Sequence, residues 1–276
     1  MMRKEIKRAI INVRFLGVVL VVLVFMFYGS KDDTWGNVIG DHSDISESQL
    51  QQLKQIYWNA YYVWSEGFVF IKSFFPLIIS LPYVYAYVKE RENKSMYLGI
   101  IRAGKWKYCF TKFAATAISG ALALIIPECL YTGIVFAVFP KGKVVDLGLG
   151  NLSFAGKTLS MSMDQRVIFT LVLHFVFAFA FAVFSQGVAA CLKNRISVYF
   201  GVYAVYLVYD ILISSIPAVA KYSIVGVYDL LYNNWDFLNA IYVIVGLGFM
   251  GVVIFYLRDK LNVMSERISV KVYASR

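Results

Sequence analysis

The sequence predicts an all-α integral membrane protein with six transmembrane helices and both termini in the cytoplasm. Three observations carry that expectation. Of 276 residues, 59% are hydrophobic and only 16% are charged, where soluble domains carry about 25% charged residues. Six apolar segments approach or exceed the roughly 17–25 residues that cross a hydrocarbon core about 30 Å thick. They are Val13–Tyr28, Phe68–Val88, Phe110–Phe139, Val167–Ala190, Ile196–Ile216 and Leu238–Leu257. Finally, the basic residues are segregated. With the N-terminus inside, 19 of the 27 Lys and Arg fall in pieces 1–14, 89–112, 191–196 and 258–276, and 7 fall in outer loops. Retained positive charge sets that orientation. Alternation with a period of two is absent, which argues against a β-barrel.

Taken in order, the head MMRKEIKRAIINVR places Ile6, Ile10 and Val13 on one side and Lys4, Lys7, Arg8 and Arg14 mostly on others. Such a basic amphipathic elbow helix lies along the inner leaflet. The apolar run after it ends in Phe27 and Tyr28 where a cleavage site wants small residues, so it is expected as a retained span. Residues 30–67 form an outer loop holding Asp32, Asp33, Asp41, Asp44 and Glu47. Within it Leu50, Leu53, Tyr57, Ala60 and Trp64 keep helical spacing, with Ser46 and Gln49 as a capping box, which predicts an interfacial helix. Pro76 and Pro82 bend the second span, and Pro127 kinks or breaks the third. Residues 217–237 are too apolar for a plain loop; Ile224, Val225, Val227, Leu230 and Leu231 predict an outer re-entrant segment before the last span. The whole of 1–276 reads as one transmembrane domain.

Several chemistries are excluded by pattern. Cys109, Cys129 and Cys191 form no disulfide framework, and His42 and His174 belong to no metal-spaced cluster. The net charge of +10 sits in membrane-flanking loops and does not call for nucleic acid. GNLSFAGKT, Gly150 to Thr158, mimics a phosphate loop, but five residues separate Gly150 from Gly156 where four are required. GLGFMG, Gly246 to Gly251, fits a dinucleotide fingerprint but has no strand before it. Its glycines are expected to serve helix packing. No H-E-x-x-H, G-x-S-x-G or paired-carboxylate motif is present, so no catalytic residue and no cofactor on this chain are expected.

The stretch YVKERENKSMYLGIIRAGKWKYCFTKF, Tyr87 to Phe113, holds seven Lys/Arg and two Glu between oily spans. A solvated loop explains the charges. It does not explain Met96, Leu98, Ile100 and Ile101 threaded among Arg102, Lys105 and Lys107. A short helix docked on another protein does.

These residues resemble the permease subunits of six-helix ABC exporters, the ABC type-2 transporter family. Glu90-Arg91-Glu92 is similar to that family's acidic signature at the end of the second span. Ser95 to Gly104 is similar to its coupling segment, and Lys112 to its later Lys. Asn93-Lys94-Ser95 and Ala103-Gly104 stand where the family often has Gly-Thr and Pro. The resemblance implies a coupling region over 89–109, with Glu90, Arg91, Glu92, Met96, Leu98, Ile100, Ile101, Arg102 and Lys105 as its contact residues. It also implies two permeases in a homodimer or a pair of paralogues, each docking a cytoplasmic ATPase that binds the ATP and Mg. The location it implies is a bacterial plasma membrane. The second and fifth spans would line the path.

In the fifth span Tyr199, Tyr203, Tyr206 and Asp210 share one helix face, the candidate translocation path together with Glu128. Its apolar, Tyr-rich character suits a hydrophobic or amphipathic substrate such as a peptide, a lipid-like molecule or a drug. A rival expectation is a proton-coupled secondary transporter using Glu128, His174 and Asp210.

Overall fold

The computed structural model describes residues 2–31, 34, 46–142, 152–229 and 236–274, with the backbone alone for 55, 56, 195 and 259–274. Helix α1 (Met2–Ile10) meets α2 (Val13–Gly29) at a 47° bend. Asn12 makes the corner. Its side-chain carbonyl accepts from Phe15 N at 2.9 Å, while its amide donates to Ala9 O at 2.7 Å. The first turn of α2 and the last of α1 thus share one residue for their orphan groups. The buried side of α1 is Ile6 and Ala9, packed on Tyr83, Ala86 and Ala115. The apolar face expected in lipid therefore lies on protein, and Val13, 85% exposed, belongs to the next helix rather than to that face.

Helices α3 (Glu47–Tyr57) and α4 (Ala60–Glu66) replace the single interfacial helix expected in the outer loop. The Ser46–Gln49 cap is present, with Ser46 N donating to Gln49 Oε1 at 3.2 Å. Asn59 then breaks the helical spacing. Its side chain accepts from Tyr61 N at 3.0 Å, and Ala60 N donates to Pro140 O at 3.0 Å. These bonds replace the helical ladder and start a new helix. Tyr61 and Trp64 in α4 are buried in the bundle.

Helices α5 (Ile71–Ser80) and α6 (Val84–Glu92) form one candidate span, interrupted around Pro82. After α7 (Ser95–Ala103) comes α8 (Lys105–Val138), 34 residues long. It passes Pro127 unbroken, so of the expected kink or break the break does not occur. In an apolar surrounding the other backbone groups of the helix have no alternative partners. Helices α9 (Met163–Cys191), α10 (Arg195–Ser214), α11 (Ile224–Tyr228) and α12 (Phe237–Ala274) complete the chain.

Among the described residues, five helical stretches are long and apolar enough to cross a membrane: Ile71–Glu92, Lys105–Val138, Met163–Cys191, Ile196–Ser214 and Phe237–Arg258. The chain is a mostly helical protein compatible with a multi-pass membrane location. Helix α9 is the hub, with α8, α12, α5 and α10 around it. Phe75, Phe177, Phe181, Tyr206 and Tyr228 form its aromatic centre. Gly187 and Gly251 let α9 and α12 touch, since a Cβ on Gly187 would lie 2.2 Å from Gly251 O. Of the GLGFMG glycines, Gly251 has this packing role, whereas Gly246 and Gly248 face open space.

A two-stranded hairpin, β1 (Ser153–Phe154) and β2 (Lys157–Thr158), occupies the false phosphate loop. Ala155 and Gly156 at its tip have φ of 50° and 77°, as a two-residue hairpin turn requires. Their N–H groups donate to Asp236 at 2.9 and 2.7 Å, and Leu238 N donates to the same carboxylate at 2.9 Å. The backbone of Leu238, with that of Gly156 and Ala155, holds the Asp236 carboxyl below its ordinary range. The loop that resembles an anion cradle thus binds the protein's own carboxylate. The expected re-entrant segment turns into the bundle at Ala220–Tyr222 and buries Ile224, Val227 and Tyr228. Leu230, Leu231, Asp32, Asp33, Asp41, Asp44, His42 and Gly150 lie outside the described residues.

Candidate functional site

Helix α7 stands at the basic end of the bundle, bounded by two residues in the left-handed region, Lys94 with φ 57° and Gly104 with φ 79°. These reversals set a nine-residue helix between α6 and α8 instead of letting them run together. None of its residues is buried. Its four apolar contact candidates divide into two sets. Met96 and Ile100 pack inward on the cluster of Val84, Tyr87, Val88 and Tyr108. Leu98 and Ile101 point away, 58% and 79% exposed, beside exposed Tyr97 and Trp106. Arg102 and Lys105 are exposed around this apolar face. Gly99 lies against Tyr108, where a Cβ would meet the ring at 2.7 Å.

The helix is anchored by a charge cluster beneath it. Lys112 Nζ donates to Glu90 Oε1 at 2.6 Å, to Glu5 Oε2 at 2.8 Å and to Tyr83 OH at 3.3 Å. Arg8 Nη1 donates to Glu90 Oε1 at 2.9 Å, and Tyr108 OH donates to Glu90 Oε2 at 2.7 Å. Tyr83 OH donates to Glu5. Two cations thus face two carboxylates, the pairing that buried charges require. Burial alone would raise the Glu5 carboxyl. The hydrogen bonds from Lys112 and Tyr83 and the charges of Lys112 and Arg8 outweigh it and hold the group below its ordinary range. Because Glu5 is on α1, Glu90 on α6 and Lys112 on α8, one cluster ties the elbow to the base of α7.

Arg91 turns the other way. Its guanidinium donates to Ala190 O at 2.7 Å and to Leu192 O, closing the C-terminal end of α9 where carbonyls lack helical partners. Glu92 is exposed. The sequence therefore named Glu90, Arg91 and Lys112, and the structure gives each a distinct task. It did not single out Glu5, Tyr83 and Tyr108. The one usable signal was Glu5, the sole acid in an otherwise basic head.

Of the path candidates, Tyr199 OH accepts from Arg14 Nη1 at 3.1 Å, and Tyr203 OH lies 3.4 Å from Ser73 O. Tyr206 is buried against Phe75 and Phe181. Asp210 Oδ1 accepts from Ser223 Oγ, Ile224 N and Val225 N at 2.7, 2.9 and 3.2 Å, so it holds the start of α11. Glu128 meets His174 at 3.0 Å instead of joining the tyrosine stripe. The five residues thus have different partners and do not form one shared polar face.

Comparison with protein-family models, with curated proteins and with solved structures gave no match.

Proposed function

We propose that the chain is the permease subunit of an ATP-driven ABC exporter, with the apolar face of α7 as the contact for a separate ATPase. The observation that carries this reading is the division of α7: Met96 and Ile100 fasten it to the bundle, while Leu98 and Ile101 are left outward at the basic end. An apolar face among Arg102 and Lys105 is costly in water and useful against a partner. The cluster of Glu5, Glu90 and Lys112 ties α1, α6 and α8 together beside α7, so in this reading a push on α7 bears on several helices together.

In this reading α2 is the sixth span. Its 17 residues stand at the lower edge of the crossing range of about 17–25. Both termini are cytoplasmic, the membrane is a bacterial plasma membrane, and a second permease copy or paralogue completes the path. ATP and Mg belong to the partner ATPase. The cargo is hydrophobic or amphipathic: a peptide, a lipid-like molecule or a drug.

The test is copurification of the native complex from membranes, followed by transport and ATP hydrolysis in proteoliposomes. Leu98→Asp with Ile101→Asp is expected to release the ATPase while leaving the permease folded. Retention of the ATPase and of coupled transport would place the contact elsewhere. The buried Glu128–His174 pair favours one rival, a proton-driven carrier. Transport driven by a pH gradient in the absence of any ATPase would select it.

A further inference from the structure

A second polar cluster lies inside the bundle, away from α7. Glu128 on α8 and His174 on α9 are buried, and Tyr228 at the end of α11 closes over them. His174 Nε2 lies 3.0 Å from Tyr228 O, which can only accept, so Nε2 carries a hydrogen. His174 Nδ1 lies 3.0 and 3.2 Å from the two Glu128 oxygens. A ring nitrogen and a carboxyl oxygen approach this closely only with a proton between them. Tyr228 OH donates to Glu128 Oε1 at 2.9 Å. The Tyr228 ring stacks on His174 at 4.1 Å and on Phe75 at 5.1 Å.

We propose that Glu128 and His174 form a proton-binding site, and that the one proton they share latches Ile224–Tyr228 into the bundle. Held as imidazolium and carboxylate, or as imidazole and carboxylic acid, the pair is neutral and both bonds to Tyr228 are made. Loss of the proton leaves two arrangements. With the hydrogen on Nε2, the Nδ1 lone pair faces a carboxylate. With it on Nδ1, the Nε2 lone pair faces the Tyr228 carbonyl. Each breaks one bond of the cluster and buries a net negative charge. A second proton gives carboxylic acid beside imidazolium, a buried net positive charge. The latch is complete in the one-proton state alone.

The neighbouring elements supply the groups that bias it. Lys72 of α5 pairs with Asp229, next to Tyr228, at 3.5 Å, and both are partly exposed. Glu66 of α4 and Tyr131 of α8 flank the same end of the bundle, and Asp210 of α10 holds the opposite end of α11. The segment is thus clamped at one end by a carboxylate with three donors and at the other by a titratable pair. An exporter or a proton-driven carrier could each use such a latch, so the inference stands apart from the function proposed above.

Hydrogen exchange at 217–229 of the full-length protein in phosphatidylcholine nanodiscs tests it. Mass spectrometry follows exchange from about pH 5 to about pH 9, each rate divided by the unstructured-peptide rate at that pH. Protection is expected to fall about ten-fold or more on at least one side of its maximum, as for loss of one charge-assisted hydrogen bond. Amides 116–124 of α8 should stay protected throughout. Glu128→Gln, which leaves His174 no carboxylate to share a proton with, should change the pH dependence at 217–229. Tyr228→Phe, which keeps the carbonyl and the ring, should lower protection yet keep the dependence. A flat wild-type profile, or an unchanged pH response in Glu128→Gln, would overturn the proposal. Should a variant lose the bundle, the wild-type profile alone decides.

Discussion

Lys112 and Glu90 lie 2.6 Å apart where α6 meets α8, and the Lys112 side chain is 2% exposed. A lysine so enclosed is paired with both Glu5 and Glu90, as a buried charge requires. The contact joins residues 22 positions apart, and through Glu5 it reaches back 107 positions to the elbow helix.

Lys112→Ala is therefore expected to destabilise the bundle by about 3–5 kcal/mol, the cost of leaving buried charge without its partner. Arg8→Ala removes a cation from the same cluster, but its side chain is 51% exposed. Its effect should be about 1 kcal/mol or less. Thermal unfolding in one detergent, both variants side by side, checks the order. Equal losses would show that Lys112 is not the keystone.

The acid response of the elbow follows from Glu5. Its folded-state value is lowered from an ordinary 4.5, so its contribution to docking is fully present above that value. It declines as pH falls below 4.5 and is lost once pH passes the folded-state value. Hydrogen exchange of residues 2–10 is expected to stay slow from neutral pH down to about 4.5 and to accelerate below. Glu5→Gln should flatten that acid transition.

Gly99→Ala adds a methyl group 2.7 Å from the Tyr108 ring, which is buried and bonded to Glu90. The ring has no free direction, so overpacking should cost about 1–3 kcal/mol. In a reconstituted complex the variant is expected to loosen coupling without touching the outward face. Unchanged stability and coupling would show that α7 sits less firmly on Tyr108.

Gly187→Ala places a Cβ 2.2 Å from the Gly251 carbonyl, and backbone cannot step aside as a side-chain tip can. Helices α9 and α12 should separate and the unfolding temperature should drop. Gly246→Ala meets nothing within 4 Å and should be neutral or slightly stabilising. Thermal scans of the two variants check the contrast.

Much of this protein was legible in its residues. The apolar runs pointed to a mostly helical chain with helices long and apolar enough to cross a membrane, and five such stretches stand among the described residues, because a backbone in an apolar surrounding must satisfy itself within the helix. The interleaving of Met96, Leu98, Ile100 and Ile101 marked a helix where charge alone suggested a loop, and Ser95–Ala103 is that helix. The break at Asn59 was missed because an Asn inside a helical pattern competes only when a partner such as Pro140 O is near.

What sequence could not decide were partnerships across the chain. Helical spacing says which residues share a face, but not what that face meets. Only the packed structure divides α7 into an anchored side and an outward side. Only it turns Asp210 toward α11, and brings Glu5, Glu90 and Lys112 into one cluster and Glu128, His174 and Tyr228 into another. The anchored side of α7 is set by apolar packing, whereas Asp210 and the two clusters are fixed by the need of a buried polar atom for a partner, across 13 positions at Asp210 and 107 at Glu5.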